Sequence, residues 1–257
     1  MVTIETVKPR GKHFFTLTFE GGEKRVCHTD TVLKYGLLQK KSLDDETFKA
    51  FKRDDAYYTL MHHALNHLSK KDHSRRGLTR KLYEKSDATA LIHQVCDALE
   101  ARGYLNDQKV LTRIIKEAAE FDDKGPRHWR DKLISEGFDV HDVDDALTLY
   151  DDAAQEATIR ELIDRTLHKF AQTPLRKKRQ KLQETLYRKG FDVSAFERLI
   201  NEKLSSLDSD DTDKLHARLH ILKQQYNMQD YEHRQKLIQK LMREGYHYGD
   251  IVRALKG

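Results

Sequence analysis

The spacing of apolar positions changes character near residue 55. Residues 2 to 28 contain short runs rich in β-branched and aromatic side chains, TIETV, HFFTLTF and EKRVCH, separated by basic or glycine turns with Gly21-Gly22 between the last two. Such runs predict a small antiparallel sheet. Thr31 to Tyr35 with Gly36 behind it predicts a short helix with a glycine stop, and Asp44 to Phe51 a further helix leading away. From residue 55 onward the apolar residues follow helical spacing.

That helical stretch repeats. Four segments share an apolar triad at i, i+4 and i+5: Leu78/Leu82/Tyr83, Trp129/Leu133/Ile134, Leu182/Leu186/Tyr187 and Leu237/Leu241/Met242. Four residues past the middle member stands Ser86, Gly137, Gly190 or Gly245, at successive intervals of 51, 53 and 55 residues. Six, nine and ten positions beyond that small residue, a second largely apolar set follows: Ile92/Val95/Cys96, Val143/Ala146/Leu147, Phe196/Leu199/Ile200 and Ile251/Ala254/Leu255. A triad helix, a glycine where it must stop in a left-handed conformation, and a second helix make one supersecondary unit. Phe138, Phe191 and Tyr246 directly follow the glycines, where the apolar contact of a helix C-cap belongs.

An amphipathic helix precedes each triad, at about Ala56 to Leu68, Lys109 to Phe121, Ala157 to Phe170 and Leu215 to Tyr226, so each unit has three helices. Asp72 and Ser74 are N-cap candidates before the first triad, Gly125-Pro126 opens the second and Thr173-Pro174 the third, while SSLDSDDTD reads as an exposed connection. The expected fold is mainly α: tandem three-helix repeats in an extended curved array behind a small N-terminal β/α domain. The divisions are a β-rich domain at 1–50 and repeats at 51–105, 106–153, 154–206 and 207–257.

A hydrophobic content of 38%, a charged content of 35% and three prolines fit a surface-rich helical protein and exclude collagen, mucin and disulfide-scaffold classes. The opening MVTIETVKPRGKHFF lacks a signal-peptide core and no run of about 18 apolar residues occurs, so a cytoplasmic protein without a membrane partner is expected. Cys27 and Cys96 read as ordinary reduced thiols.

Candidate catalytic chemistry is sparse. His63/His67 and His216/His220 stand at i, i+4 but lack a third metal ligand and an H-E-x-x-H frame. Asp208, Asp210 and Asp213 resemble the start of a calcium loop, yet Asp213 occupies the place of the required glycine and Leu219 that of the terminal glutamate. No phosphate-loop, dinucleotide or nucleophile-elbow motif occurs, and the paired acids Asp122-Asp123, Asp144-Asp145 and Asp151-Asp152 are adjacent and diverge on a helix. A non-enzymatic protein with no cofactor is expected.

Charge is the more informative feature. The net charge is +5, and the triad helices (74–85, 124–136, 176–189, 234–244) hold twenty Lys and Arg against five acids. The helices that follow them (87–98, 138–152, 191–208, 246–256) hold four bases against thirteen acids. Stacked repeats put equivalent helices on one side, so Arg75, Arg76, Arg80, Lys81, Lys124, Arg127, Arg130, Lys132, Arg176, Lys177, Lys178, Arg179, Lys181, Arg188, Lys189 and Lys240 are expected to form a basic stripe suited to a phosphate backbone or an acidic protein groove. The alternative is that these charges only solvate their helices and neutralise the acidic layer alongside.

Several motifs, in order, resemble those of the RecX family: Leu68-Ser69, Asp72-His73-Ser74, Leu78 to Leu82, Gly103-Tyr104-Leu105-Asn106-Asp107, Lys124-Gly125-Pro126 to Leu133, and Gly137-Phe138. Ile4 to Val7, Phe15 to Phe19 and Leu33 to Leu37 look like the N-terminal extension of longer Gram-positive members. Gly77 and Ser86 stand where the family tends to have glutamate and glycine, and Asn106 replaces the first acid after Gly-Tyr-Leu. The resemblance implies a regulator that binds the RecA recombinase filament on DNA and inhibits filament growth, ATP hydrolysis, strand exchange and coprotease activity. It implies RecA as the partner, single- or double-stranded DNA bound weakly alone, and a monomer. A helical-repeat nucleic-acid binder with no recombinase partner is the alternative.

Overall fold

The computed structural model describes residues 1–39 and 41–256, apart from the side chains of 208–210. The N-terminal segment forms β1 (Val2–Arg10), β2 (Phe14–Phe19), β3 (Lys24–His28), α1 (Thr29–Lys34) and β4 (Ser42–Leu43). The strands make one antiparallel sheet in the order β3-β2-β1-β4. Three strands are those the apolar alternation predicts; β4, only two residues long, leaves no periodic signal. Gly21 and Gly22, both at positive φ, turn the β2–β3 hairpin. Ile4, Leu17, Phe19 and Cys27 from the sheet, Val32, Leu37 and Leu43 behind it, and Phe51 from the next helix form its core.

That helix, α2 (Asp45–Leu68), is continuous over 24 residues. The expectation of separate helices at Asp44 to Phe51 and Ala56 to Leu68 is corrected here: the intervening Lys52-Arg53-Asp54-Asp55 is polar but contains no proline or glycine, so nothing breaks the hydrogen-bond ladder. Asp55 is instead buried, its carboxylate accepting the His28 amide (2.8 Å) and facing Arg25 (3.6 Å), which pins the end of β3 to the helix.

The remaining helices are α3 (Arg75–Tyr83), α4 (Thr89–Ala101), α5 (Asp107–Phe121), α6 (Pro126–Glu136), α7 (Val140–Leu147), α8 (Asp152–Lys169), α9 (Leu175–Lys189), α10 (Glu197–Ser205), α11 (Asp208–Lys223), α12 (Tyr231–Glu244) and α13 (Tyr248–Lys256). Every helix expected in the four units is present. α7 and α10 are shorter than the expected segments, and the connection read in SSLDSDDTD shrinks because α11 already begins at Asp208. The chain divides into two compact units, Met1–Leu111 with Ile134–Asp142, and Thr112–Leu133 with Val143–Gly257.

The repeat positions mostly earn their apolar character by burial. Leu78, Leu82, Trp129, Leu133, Leu182, Leu186, Leu237 and Leu241 are buried, as are ten of the twelve second-set residues, with Leu147 and Leu255 half-buried. The third triad member is a correction. Tyr83, Tyr187 and Met242 are exposed, at 41, 63 and 40%, and Ile134 is half-buried. One residue past i+4 lies about 100° around the helix, off the core stripe.

Gly137, Gly190 and Gly245 adopt the expected left-handed conformation, at φ 96°, 90° and 114°. Behind each, Phe138, Phe191 or Tyr246 is buried. Ser86 does not: no residue other than glycine has positive φ among the described residues, and α3 ends through amides of Lys85 and Ser86 donating to the Leu82 carbonyl.

Candidate partner interface

The glycines have a second task that periodicity alone does not reveal. A Cβ on Gly137 would lie 3.1 Å from the Gly77 amide nitrogen and from Ser74 Oγ, and one on Gly77 would lie 2.7 Å from the Glu136 carbonyl oxygen. A Cβ on Gly190 would lie 2.5 Å from the His128 nitrogen, and one on Gly125 2.6 Å from the Gly190 carbonyl. Gly245 meets the side chain of Lys177 instead, whose Cγ would lie 2.9 Å from a Cβ there. The C-terminal end of a triad helix thus presses on the N-terminal turn of the triad helix one repeat earlier.

Backbone groups that would otherwise be orphaned at these helix ends are joined across the junction. Ser74 Oγ donates to the Glu136 carbonyl (2.9 Å) while accepting from the Gly77 amide (2.9 Å). The Gly125 amide donates to the Lys189 carbonyl (2.8 Å) and the Arg127 amide to the Gly190 carbonyl (3.1 Å). Arginines add to this: Arg80 donates to the Ser135 carbonyl, and Arg127 to the Tyr187 carbonyl (2.6 Å). Ser86 has no earlier triad helix to admit, which explains why the first unit dispenses with glycine there.

These junctions place the sequence-predicted basic residues in three settings. Some neutralise the acidic helices. Arg75 pairs with Asp97 and Glu100 on α4, Arg130 holds Asp144 on α7 through Nε (2.6 Å) and Nη2 (3.0 Å), and Arg179 pairs with Glu197 (3.4 Å) and Asn201 on α10. Lys189 pairs with Asp123, which Lys124 (3.7 Å) and Arg165 (3.6 Å) also approach. The Lys189 ammonium, with burial opposing it, holds the Asp123 carboxyl below its ordinary range.

A second set lies over aromatic faces. Arg127 stacks 4.0 Å from the Tyr187 ring centroid, Lys132 4.2 Å from Trp129, and Lys240 5.7 Å from Tyr226. Lys81 and Lys181 make short-range pairs with Glu84 and Glu184 on their own helices. Lys178 is buried, turned from the surface by its place one turn before Leu182.

A third set faces water. Arg76, Arg176 and Arg188 are exposed and make no ion pair among the described residues, and Lys177 is exposed beside Gly245. The two sequence-level alternatives, a basic working face and a neutralising layer, therefore apply to different residues. The i+5 positions Tyr83, Tyr187 and Met242 are likewise uncovered, although apolar.

Sequence reasoning missed two carboxylates. Asp107 accepts the Arg75 amide (2.9 Å) at the start of α3, and Asp211 accepts the Leu175 amide (3.0 Å) at the start of α9. Both stand 21 residues after the unit's small residue, Ser86 or Gly190, so the signal was an equal offset rather than a motif. Burial pushes the Asp107 carboxyl up, opposed by the Arg75 amide.

The histidine pairs assemble nothing further. His63 and His67 are half-buried on α2, His216 and His220 are exposed on α11, and no cluster of three or more metal-binding side chains occurs among the described residues. Asp213 lies within helix α11 rather than a loop; the side chains of Asp208 and Asp210 lie outside the described residues. Both cysteines are buried free thiols, and burial pushes Cys27 up to about 12. No described helix is long and apolar enough to cross a membrane.

No protein-family model matches the chain. Individual relatives do. A protein from Lactococcus lactis named regulatory protein RecX is 28% identical over 247 residues, covering 93% of this chain and 90% of its own length. One of the same name from Limosilactobacillus reuteri is 23% identical over 251 residues, covering 96% and 94%. A crystal structure of a regulatory protein RecX superposes with a TM-score of 0.58 at 21% identity, covering 77% of this chain and 98% of that one.

Proposed function

From a chain that belongs to the RecX family of regulatory proteins, we propose that it regulates the recombinase RecA by binding the filament that RecA forms on DNA. Binding inhibits filament growth and, with it, ATP hydrolysis, strand exchange and coprotease activity. The protein acts without catalysis of its own, in the cytoplasm and as a monomer.

The observation that carries this reading is the division of labour among the basic residues. Arg75, Arg130 and Arg179 tie the triad helix to the following helix within their own units, while Arg76, Arg176, Lys177 and Arg188 remain exposed, as do the apolar side chains Tyr83, Tyr187 and Met242. Exposed cations steer and hold a polyanionic assembly, whereas desolvated aromatic and arginine side chains supply most of the energy of protein contacts. Repeats spread these contacts over many weak sites, which combine through effective concentration. The four segments 51–105, 106–153, 154–206 and 207–257 are the units proposed to share the filament contact.

The test is RecA-dependent, DNA-stimulated ATP hydrolysis titrated with the full chain. Inhibition that weakens as salt rises is expected; unchanged hydrolysis at saturating protein and low salt would remove the proposal. A second reading, a repeat protein that binds nucleic acid with no recombinase partner, is favoured by one observation. The Arg127–Tyr187 stack, with Tyr187 63% exposed, resembles a platform for a base.

A further inference from the structure

Within the second compact unit, α8 and α9 face one another across a cavity of about 280 Å³ whose walls are unusual for packed helices. On α8, Leu162, Arg165, Thr166 and Lys169 follow i, i+3, i+4 and i+7. On α9, Lys181, Glu184, Thr185 and Arg188 follow the same spacing, with Lys189 beside them. Facing stripes at this spacing are ordinarily apolar. Here Leu162 and Phe170 supply the apolar lining, and the rest is charged or hydroxylic.

Five cations line this cavity against two carboxylates, Asp123 and Glu184. Asp123 is engaged by Lys189 and approached by Arg165, and Glu184 is engaged by Lys181 at 2.8 Å. Lys169 and Arg188 bring charge beyond those pairs. Both are exposed, so an entering anion can reach them, and two neighbouring cations attract it more strongly than one. The Asp123 carboxylate, met by two cations at one end, already shows what the lining selects.

We infer that the cavity between α8 and α9 is a phosphate-binding site in which Lys169 and Arg188 are the direct ligands and the Thr185 hydroxyl a further donor. Arginine suits this role because its planar fork matches two phosphate oxygens. The volume lies at the lower end for small-molecule sites, which fits a phosphate or pyrophosphate group rather than a whole cofactor. The phosphate comes either from a nucleic-acid backbone or from a free phosphate compound. No recombinase is needed for the site to fill.

The test uses the full chain alone. Calorimetric titration with inorganic pyrophosphate at low ionic strength should give saturable binding. Arg188→Gln and Lys169→Gln should each weaken it about tenfold, while Lys236→Gln, at an exposed position of α12, should leave it unchanged. A parallel titration with a short single-stranded oligonucleotide separates the sources: weakening by the same two substitutions assigns the site to the backbone, and unaltered oligonucleotide binding assigns it to free phosphate compounds. No saturable pyrophosphate binding, or equal affinity in wild type and both variants, overturns the inference.

Discussion

Gly190 illustrates how much one residue position carries in this protein. Its φ of 90° excludes ordinary side chains, and a Cβ would also lie 2.5 Å from the His128 nitrogen. Replacing it by alanine should destabilise the protein by about 2–4 kcal/mol, the sum of left-handed strain and a junction forced apart. Ser86→Gly should change stability by less than about 1 kcal/mol, because Ser86 is neither left-handed nor pressed by an earlier repeat. Urea unfolding of both variants checks the contrast; equal effects would mean the junctions are not what the glycines serve. Tyr187 makes the opposite case. At 63% exposure, Tyr187→Ala should leave stability within about 0.5 kcal/mol. On the proposed function it should still weaken partner binding severalfold, measured as the dissociation constant for RecA-coated DNA. The exposure of Tyr187 was not legible in the sequence: an apolar residue adjacent to i+4 is read as core because pattern alone cannot distinguish the edge of a stripe from its centre.

Among the elements, helix existence was legible because each turn of apolar residues recurs beside a stop residue and few prolines intervene. Junctions were less so. Ser74 caps α3 locally, as its sequence position predicts, but the acceptors for the first amides of α3 and α9 are Asp107 and Asp211, 32 and 36 residues away in sequence, and no local rule marks such a partner. Asp211→Ala should cost about 1 kcal/mol through the lost acceptor for the Leu175 amide. Hydrogen exchange should speed at the first turn of α9, and unchanged exchange there would argue against the cap. In the first unit, the sheet meets α2 through a group of histidines. The rings of His13 and His28 lie 4.7 and 5.4 Å from that of His62. Burial lowers both His28 and His62 from the ordinary value of 6.5; at His28 the Asp30 carboxylate opposes it and the His62 and His13 rings add to it, while at His62 the His13 ring adds to it. The folded state thus prefers the neutral rings. Their contribution is complete above pH 6.5 and is lost as pH falls through the lowered folded values. Urea midpoints should therefore fall between pH 7.5 and 5.5, and His62→Asn should flatten that fall; an identical slope in the variant would contradict it.

The molecule as a whole combines a charge pattern visible in sequence with a sorting of charges that is not. Layer composition indicated that one helix of each unit is basic and, in the first three units, its neighbour acidic. Which cations meet that neighbour depends on their angle around the helix and on the junction geometry, so Arg179 reaches α10 while Arg176, three residues earlier, faces water. Substituting Arg76, Arg176 and Arg188 together by glutamine should reduce the salt dependence of partner binding by up to about three phosphate contacts' worth of slope, with little loss of stability. Arg130→Gln, which breaks the pair with Asp144, should act mainly on stability. The most direct test of the central claim compares equilibrium affinity of the full chain for bare single-stranded DNA and for the same DNA coated with RecA, at one salt concentration. The account predicts tighter binding to the coated form, and equal or weaker binding there would contradict it.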